Sequence, residues 1–364
     1  MGSSTRLTEL LGTEHPIIQA GMAGGATTPQ LVAAVSETGG LGTLGAAYMS
    51  PDAIRGAVAE VRSHTDRPFA VNLFVPEAFD PSLYDPQEVN APLARYREEL
   101  GIEAPEEVSD FVQPFEDQFA VVLEERVSVF SFTFGVPDDV QLSALKEAGI
   151  LVVGTATTVR EGLVLEERGV DAVVGQGSEA GGHRGTFIGD FESALVGAMA
   201  LVPQLADSLS VPVVAAGGIM DGRGLAAALV LGAEGVQMGT AFLPCTESGI
   251  HPKYKEAVLA AESEETALTR GFSGKPARGI RNRFMEEMDR EEVPEYPVQN
   301  AYTRDIRAAA AKEDRIEFLS LWAGQAARLG RAVPAAEVVE GTVREAARRL
   351  ATLGPGQSSG SENR

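Results

Sequence analysis

Val213–Gly224 reads VVAAGGIMDGRG, and Gly232–Leu243 reads GAEGVQMGTAFL. Each is a short apolar run that ends in small, backbone-exposing residues: Gly217-Gly218 in the first, Gly239-Thr240 in the second. A helical pattern opens at about Asp221, between them. The order is strand, turn, helix, strand, turn. That is the order of the last two units of a (β/α)8 barrel, whose consecutive loops commonly build one phosphate site. Glycine lets the backbone come close to a ligand, and free N–H groups at such turns suit an anion. Either segment alone could be just a tight βα turn; the pair points to phosphate binding.

The same rhythm runs back through the chain. Strand candidates are Pro16–Ala20, Leu41–Leu44, Phe69–Leu73, Val127–Phe132, Leu151–Thr155, Asp171–Gln176, Val211–Ala216 and Gly235–Gly239. They are short and apolar, as strands buried on both faces should be. Helical patterns fall between them at Pro29–Thr38, Pro51–Arg62, Asp138–Glu147, Thr158–Arg168, Phe191–Ser208 and Asp221–Leu231. Several open on Pro, Asp, Ser or Thr and close near Gly, as helix caps require. An open doubly wound sheet would show the same alternation, but eight strand candidates favour a closed α/β TIM barrel.

Two stretches interrupt the alternation. Residues 76–126 are acidic and contain prolines, and read as an extended loop with added helices. Residues 246–305 carry GFSGKPARGIRNRF and VPEYPVQNAYTRD and read as an excursion over the barrel face. The expected organisation is a barrel core over 1–245, that excursion, C-terminal helices over 306–353 completing the barrel, and a disordered tail over 354–364.

With 364 residues the chain can hold one barrel of roughly 250 residues plus additions. A formal net charge of −22 repels nucleic acid and anionic membrane surfaces, so neither is an expected partner. The same field opposes an anionic ligand at long range, so an anion needs a local positive or dipolar site. No run of 18 apolar residues occurs. The single cysteine, Cys245, excludes an intrachain disulfide and fits the cytoplasm; beside Pro244 it reads as packing. A homodimer is compatible with these features.

The chemistry-bearing stretch is Val174–Gly185, VGQGSEAGGHRG, at the end of the sixth strand candidate. Catalytic groups of barrels sit on such loops. Of four histidines, only His183 lies between glycines in a strand-end loop. Its imidazole could hold an anion when charged or take a proton when neutral. Arg184 could offset the acidic field or be a solvated loop charge, and Glu179 reads as a structural acceptor. In Pro16–Gly25, PIIQAGMAGG, small residues around Met22 and Ala23 suit the edge of a flat ring. Asn72, inside FAVNLF, is an amide in an apolar strand and needs partners from a ligand or from neighbouring backbone. No HExxH or CxxC spacing points to a metal, and no GxxxxGK[ST] occurs.

Taken together, QGSEAGGHRG, PVVAAGGIMDGRG, GVQMGTAFL, PIIQAGMAGG and SLWAGQAARL at Ser320–Leu329 resemble the nitronate monooxygenase family, once called 2-nitropropane dioxygenases, and its first class most. The resemblance implies a TIM barrel with non-covalent FMN. Gly217, Gly218, Gly239 and Thr240 would hold the FMN phosphate, with Gln237 and Met238 completing that strand. Asn72, Gln176, Gly181 and Gly182 would contact the flavin, and Met22 and Ala23 would border its ring. His183 matches the family's active-site histidine, and Met22 and Tyr302 would line the substrate pocket. Ala241 stands where family members often have Arg. The implied reaction oxidises propionate 3-nitronate or alkyl nitronates with O2, through a flavin semiquinone, to a carbonyl compound and nitrite. An NAD(P)H-dependent FMN reductase of quinones or enoyl thioesters, or a non-catalytic FMN-binding barrel, would share the phosphate loops.

Overall fold

A computed structural model describes residues 4–353. The expected tail over 354–364 lies outside the described residues. Eight parallel strands are found: β1 (Ile17–Gln19), β2 (Gly42–Gly45), β3 (Phe69–Phe74), β4 (Val129–Thr133), β5 (Leu151–Ala156), β6 (Ala172–Gln176), β7 (Val213–Ala216) and β8 (Gly235–Met238). Each pairs with its neighbour in sequence, and β8 pairs with β1. The seam between β1 and β2 is closed by a parallel bridge between Ile18 and Leu41. The result is a TIM barrel.

A helix follows every strand: α1 (Pro29–Glu37), α2 (Pro51–His64), α3 (Phe115–Glu124), α4 (Asp139–Glu147), α5 (Val159–Glu167), α6 (Ala198–Ser208), α7 (Gly222–Val230) and α8 (Ala335–Leu353). The side chains of Thr28, Ser50, Asp138, Thr158 and Asp221 cap α1, α2, α4, α5 and α7 by accepting orphan N–H groups. α8 buries Ala335, Val338, Val339 and Ala346 against Leu225 and Ala226 of α7 and Leu31 and Val35 of α1, which closes the helical ring. The sequence-based helix over Phe191–Ser208 is too long: Gly197 is extended (ψ 151°) and α6 begins only at Ala198.

The barrel interior changes character from floor to mouth. A short N-terminal helix, Arg6–Leu11, places Leu7 and Leu11 under Ala70, Val129, Val153, Ala172 and Val214. Strand side chains alternate between faces, so residues two positions later point the same way. Asn72, Ser131, Thr155 and Gln176 occupy those positions, and the register pairs Asn72 with Ser131 and Ala70 with Val129. An apolar floor layer therefore gives way to a polar layer at the C-terminal mouth, where barrels place their sites.

Two segments cover that mouth. One lies between β3 and α3, with short helices at Pro86–Asn90 and Ala94–Glu99. The other runs from β8 to α8 and so extends past the expected 246–305; Arg304–Lys312 belongs to this cover and not to the ring. The two segments share one aromatic cluster. Tyr96 stands 4.7 Å from Phe284 and 5.5 Å from Phe318, centroid to centroid, and Phe272 stacks on Phe284 at 4.4 Å. A small three-stranded ribbon, which the sequence reading did not anticipate, ties the cover to the barrel. Gly182–His183 pairs antiparallel with Ala277–Ile280, which pairs in turn with Thr266–Thr269.

Candidate active site

Between barrel and cover lies a cavity of about 460 Å³. Its walls include Met22, Ala23, Asn72, Gln176, Gly181, Gly182, His183, Gly217, Gly218, Gln237, Gly239 and Thr240, so the structure brings nearly all of the expected site residues together. Two stand elsewhere. Met238 is 1% exposed and turned into the core between β8 and its helices. Tyr302 packs in the cover cluster, where its carbonyl accepts from Arg97 at 2.8 Å, and is not among the cavity-lining residues.

One end of the cavity is a backbone cradle. Gly217 (φ 108°) and Gly218 (φ 71°) both take the left-handed conformation that other residues avoid. A Cβ on Gly217 would sit 3.1 Å from the amide nitrogen of Ala180, and one on Gly324 only 2.7 Å from the carbonyl of Glu179. Thr240 Oγ1 accepts from the N–H of Gly324 at 3.0 Å, tying the cover to the strand-end turns. Small residues from three segments thus leave backbone open toward one point, a geometry that fits a phosphate.

Toward the barrel axis, Asn72 Nδ2 donates to Ser131 Oγ at 2.9 Å. The buried amide therefore finds a side-chain partner on the next strand and still faces the cavity. Gln176 is used differently: Nε2 donates to the carbonyl of His183 at 3.0 Å and Oε1 accepts from Gly185 at 2.9 Å. Its amide folds the β6 loop back on itself.

His183 also lines the cavity, boxed by aromatic rings. Centroids of Trp322, Phe134, Tyr296 and Phe74 stand 5.5, 5.7, 6.0 and 6.2 Å away. Nε2 meets Ser273 Oγ at 2.9 Å. Burial, followed by the charges of Lys275 and Arg307, pushes its pKa down to about 3, so the imidazole is neutral at physiological pH. Arg184 fits neither expectation. It is 1% exposed and donates to the carbonyls of Gly177, Gln176 and Ala194 at 2.6, 3.1 and 3.2 Å, clamping the loop that carries His183. Burial, and then Arg278, lowers its pKa to about 10, which leaves it charged. Glu179 accepts from the N–H of Ala198 at 3.0 Å and so serves the start of α6. Cys245 is fully buried, and burial raises its thiol to about 12, which removes it as a nucleophile.

The sequence reading missed Ser131, Thr133, Phe134, Tyr48, Arg307 and Trp322, all on the cavity wall. Ser131 and Thr133 carried a usable signal, because each is polar within an apolar strand, as Asn72 is. Trp322 is the chain's single tryptophan. Tyr48 and Arg307 gave no local signal; only the fold brings them to the mouth.

The nitronate monooxygenase family model matches residues 4–345. The chain belongs to the nitronate monooxygenase family. It is an oxidoreductase, and no described helix is long and apolar enough to cross a membrane. A probable nitronate monooxygenase of Staphylococcus saprophyticus is 48% identical over 353 residues, covering 95% of this chain and 98% of that one. A Staphylococcus aureus counterpart is 45% identical over 348 residues, with coverage of 95% and 98%. Among solved structures, a nitroalkane oxidase from Streptomyces ansochromogenes superposes with a TM-score of 0.89 at 39% identity, covering 95% of this chain and 99% of that one. FabK from Thermotoga maritima follows the same fold at 0.76 and 36% identity, with 96% and 98% covered.

Proposed function

We propose that this nitronate monooxygenase family member holds FMN non-covalently and oxidises small nitronates with O2 to a carbonyl compound and nitrite. The observation that carries the reading is one cavity whose walls combine a glycine-built anion cradle with a neutral, aromatic-boxed His183. The residues fit the cofactor. Gly217, Gly218, Gly239 and Thr240 would take its phosphate, while Asn72, Gly181, Gly182, Met22 and Ala23 would border its ring. Bound FMN supplies the electron chemistry.

The protein's own part is positional and electrostatic. A histidine held near pKa 3 is a weak base, poorly matched to removing a carbon-bound proton. The site thus suits a substrate that arrives already ionised. A nitronate entering beside His183 offsets the charges of Lys275 and Arg307 and favours protonation of the ring, which can then hold the nitronate oxygens. The four rings around His183 keep water from that contact.

An absorbance spectrum of the purified protein tests the cofactor: oxidised-flavin bands and FMN released on denaturation are expected. Oxygen uptake matched by nitrite release, with propionate 3-nitronate or ethyl nitronate, tests the reaction. Rapid bleaching of the flavin by NADH with no nitrite from any nitronate would overturn the reading in favour of a reductase.

A further inference from the structure

Ser273 belongs to the segment GFSGKPARGI, Gly271–Ile280, which leads into the ribbon strand paired with His183. It is 1% exposed. Its Oγ stands 2.9 Å from His183 Nε2, 3.1 Å from the carbonyl of Lys275 and 3.3 Å from the N–H of Lys275. Among the described residues it is the one group that hydrogen-bonds to the imidazole, and Nδ1 has no partner. The backbone around Ser273 is pinned. Gln299 Nε2 donates to the carbonyl of Gly271 at 2.7 Å, and Thr303 Oγ1 donates to that of Phe272 at 2.5 Å. Gly274 (φ 83°) lies so close to the next segment that a Cβ there would meet the carbonyl of Pro294.

A hydroxyl has one hydrogen to give and two lone pairs. The N–H of Lys275 takes one lone pair of Ser273 Oγ. The hydrogen then has two acceptors, Nε2 and the Lys275 carbonyl, and Nε2 is the nearer. A neutral imidazole that accepts at Nε2 carries its own hydrogen on Nδ1. A proton gained from solvent goes onto Nε2, which becomes a donor. Ser273 can then accept from it by turning its hydrogen to the Lys275 carbonyl. We infer that Ser273 is a positioning residue for His183, a two-way hydroxyl that donates to Nε2 of the neutral ring and accepts from Nε2 of the charged one. In both states Nδ1–H is left as the free donor of the ring. The other charged or titratable groups around His183 are engaged elsewhere. Lys275 pairs with Glu77 at 2.8 Å, Arg307 donates to Asn300 at 2.7 Å, Tyr296 bonds to Tyr48, and Arg184 donates to loop carbonyls. The inference deepens the proposed nitronate oxidation, and its kinetic consequence rests on that reading.

The first test needs no turnover. Nitrogen-15 NMR of the histidine-labelled protein, with His183 assigned by its loss in His183→Gln, should show at neutral pH a ring protonated on Nδ1 and bare at Nε2. Ser273→Thr should keep that tautomer, and Ser273→Ala should give a mixture. A wild-type ring with its hydrogen on Nε2, or an unchanged ring in Ser273→Ala, overturns the inference. The second test is the pH profile of kcat for propionate 3-nitronate with FMN-loaded enzymes. Charge-assisted bonds are the stronger ones, so Ser273→Ala costs the charged ring more than the neutral ring. The alkaline limb of kcat should move down by ~1 pH unit and kcat at neutral pH should fall by ~10-fold. Ser273→Thr should restore most of both. A fall in kcat with the limb unmoved would mean packing alone and overturns the two-way role. If neither variant folds, the wild-type tautomer decides. An Nδ1–H ring in a protein that oxidises no nitronate upholds the role of Ser273 and sinks only the reaction.

Discussion

His183 shows how a cavity sets the chemistry of one residue. Its folded pKa of about 3 lies below the ordinary value of 6.5. Above pH ~6.5 neither the folded nor the unfolded chain holds a proton there, and the residue adds no pH dependence. Between that value and about 3 the unfolded chain takes up a proton that the folded chain refuses. Stability is therefore lost as pH falls through the window, by up to ~1.4 kcal/mol per pH unit. His183→Gln removes the titration, so the variant should gain on wild type in urea melts at pH 6 and 5 and show a constant offset above pH 7. An offset that stays flat from pH 8 to 5 would mean the folded imidazole protonates freely, and the proposed preference for ionised substrates would lose its basis. At this scale the sequence was most readable where a polar residue interrupts an apolar strand or stands between glycines. Asn72 and His183 were found that way, and Ser131 could have been. Tyr302 came from the resemblance, whereas the tyrosine ring 6.0 Å from His183 is Tyr296, six residues earlier in the same segment.

The β6 loop is the element that brings His183 to the cavity, and it is held from behind. Arg184 donates to three loop carbonyls, Arg278 donates to a fourth at Ser178 (3.0 Å), and Glu161, fully buried, accepts from the N–H groups of Phe187 and Ile188 at 2.6 and 2.9 Å. Replacing Arg184 by Met would take its donors from the carbonyls of Gln176, Gly177 and Ala194, leaving Gly177 only the N–H of Ala180. The expected cost is ~2–5 kcal/mol in urea unfolding, with a fall in kcat because His183 adjoins the clamp. Stability and kcat both equal to wild type would show that the loop holds itself. None of this was legible in the sequence, where an arginine in a polar, glycine-rich loop looks solvated. The strands were legible for the opposite reason. All eight are apolar runs bounded by turn residues, and burial on both faces leaves no room for another pattern. The ribbon at Gly182–His183, Thr266–Thr269 and Ala277–Ile280 has two to four residues per strand, too few for a period to show. The helix over Phe191–Ser208 was drawn too long because FESALVG keeps helical spacing of its apolar residues. Glu179 instead caps the chain at Ala198, and residues 191–197 turn ahead of it.

For the whole molecule, the balance lies between a strongly acidic surface and the anion-binding role proposed for the cavity. The net charge of −22 slows the approach of any nitronate, while the attraction supplied by Arg307 and the strand-end cradle acts only at short range. Lys275, whose charge acts on His183, adds little reach because Glu77 neutralises it. Salt should therefore help rather than hinder. Raising ionic strength from ~0.01 to ~0.15 M shortens the screening length from about 30 to about 8 Å, which weakens the distant repulsion more than contacts inside the cavity. Under conditions where substrate capture limits the rate, kcat/KM for a nitronate should rise ~2-fold or more over that range, and more steeply for a dianion than for a monoanion. A neutral nitroalkane, which the field neither repels nor attracts, should bind with the same affinity at both salt concentrations. If nitronate kcat/KM fell instead as salt was added, local cations at the mouth would have to outweigh the acidic surface. The Glu77–Lys275 pair would then have to open in solution to expose the lysine, and Glu77→Gln would steepen the fall.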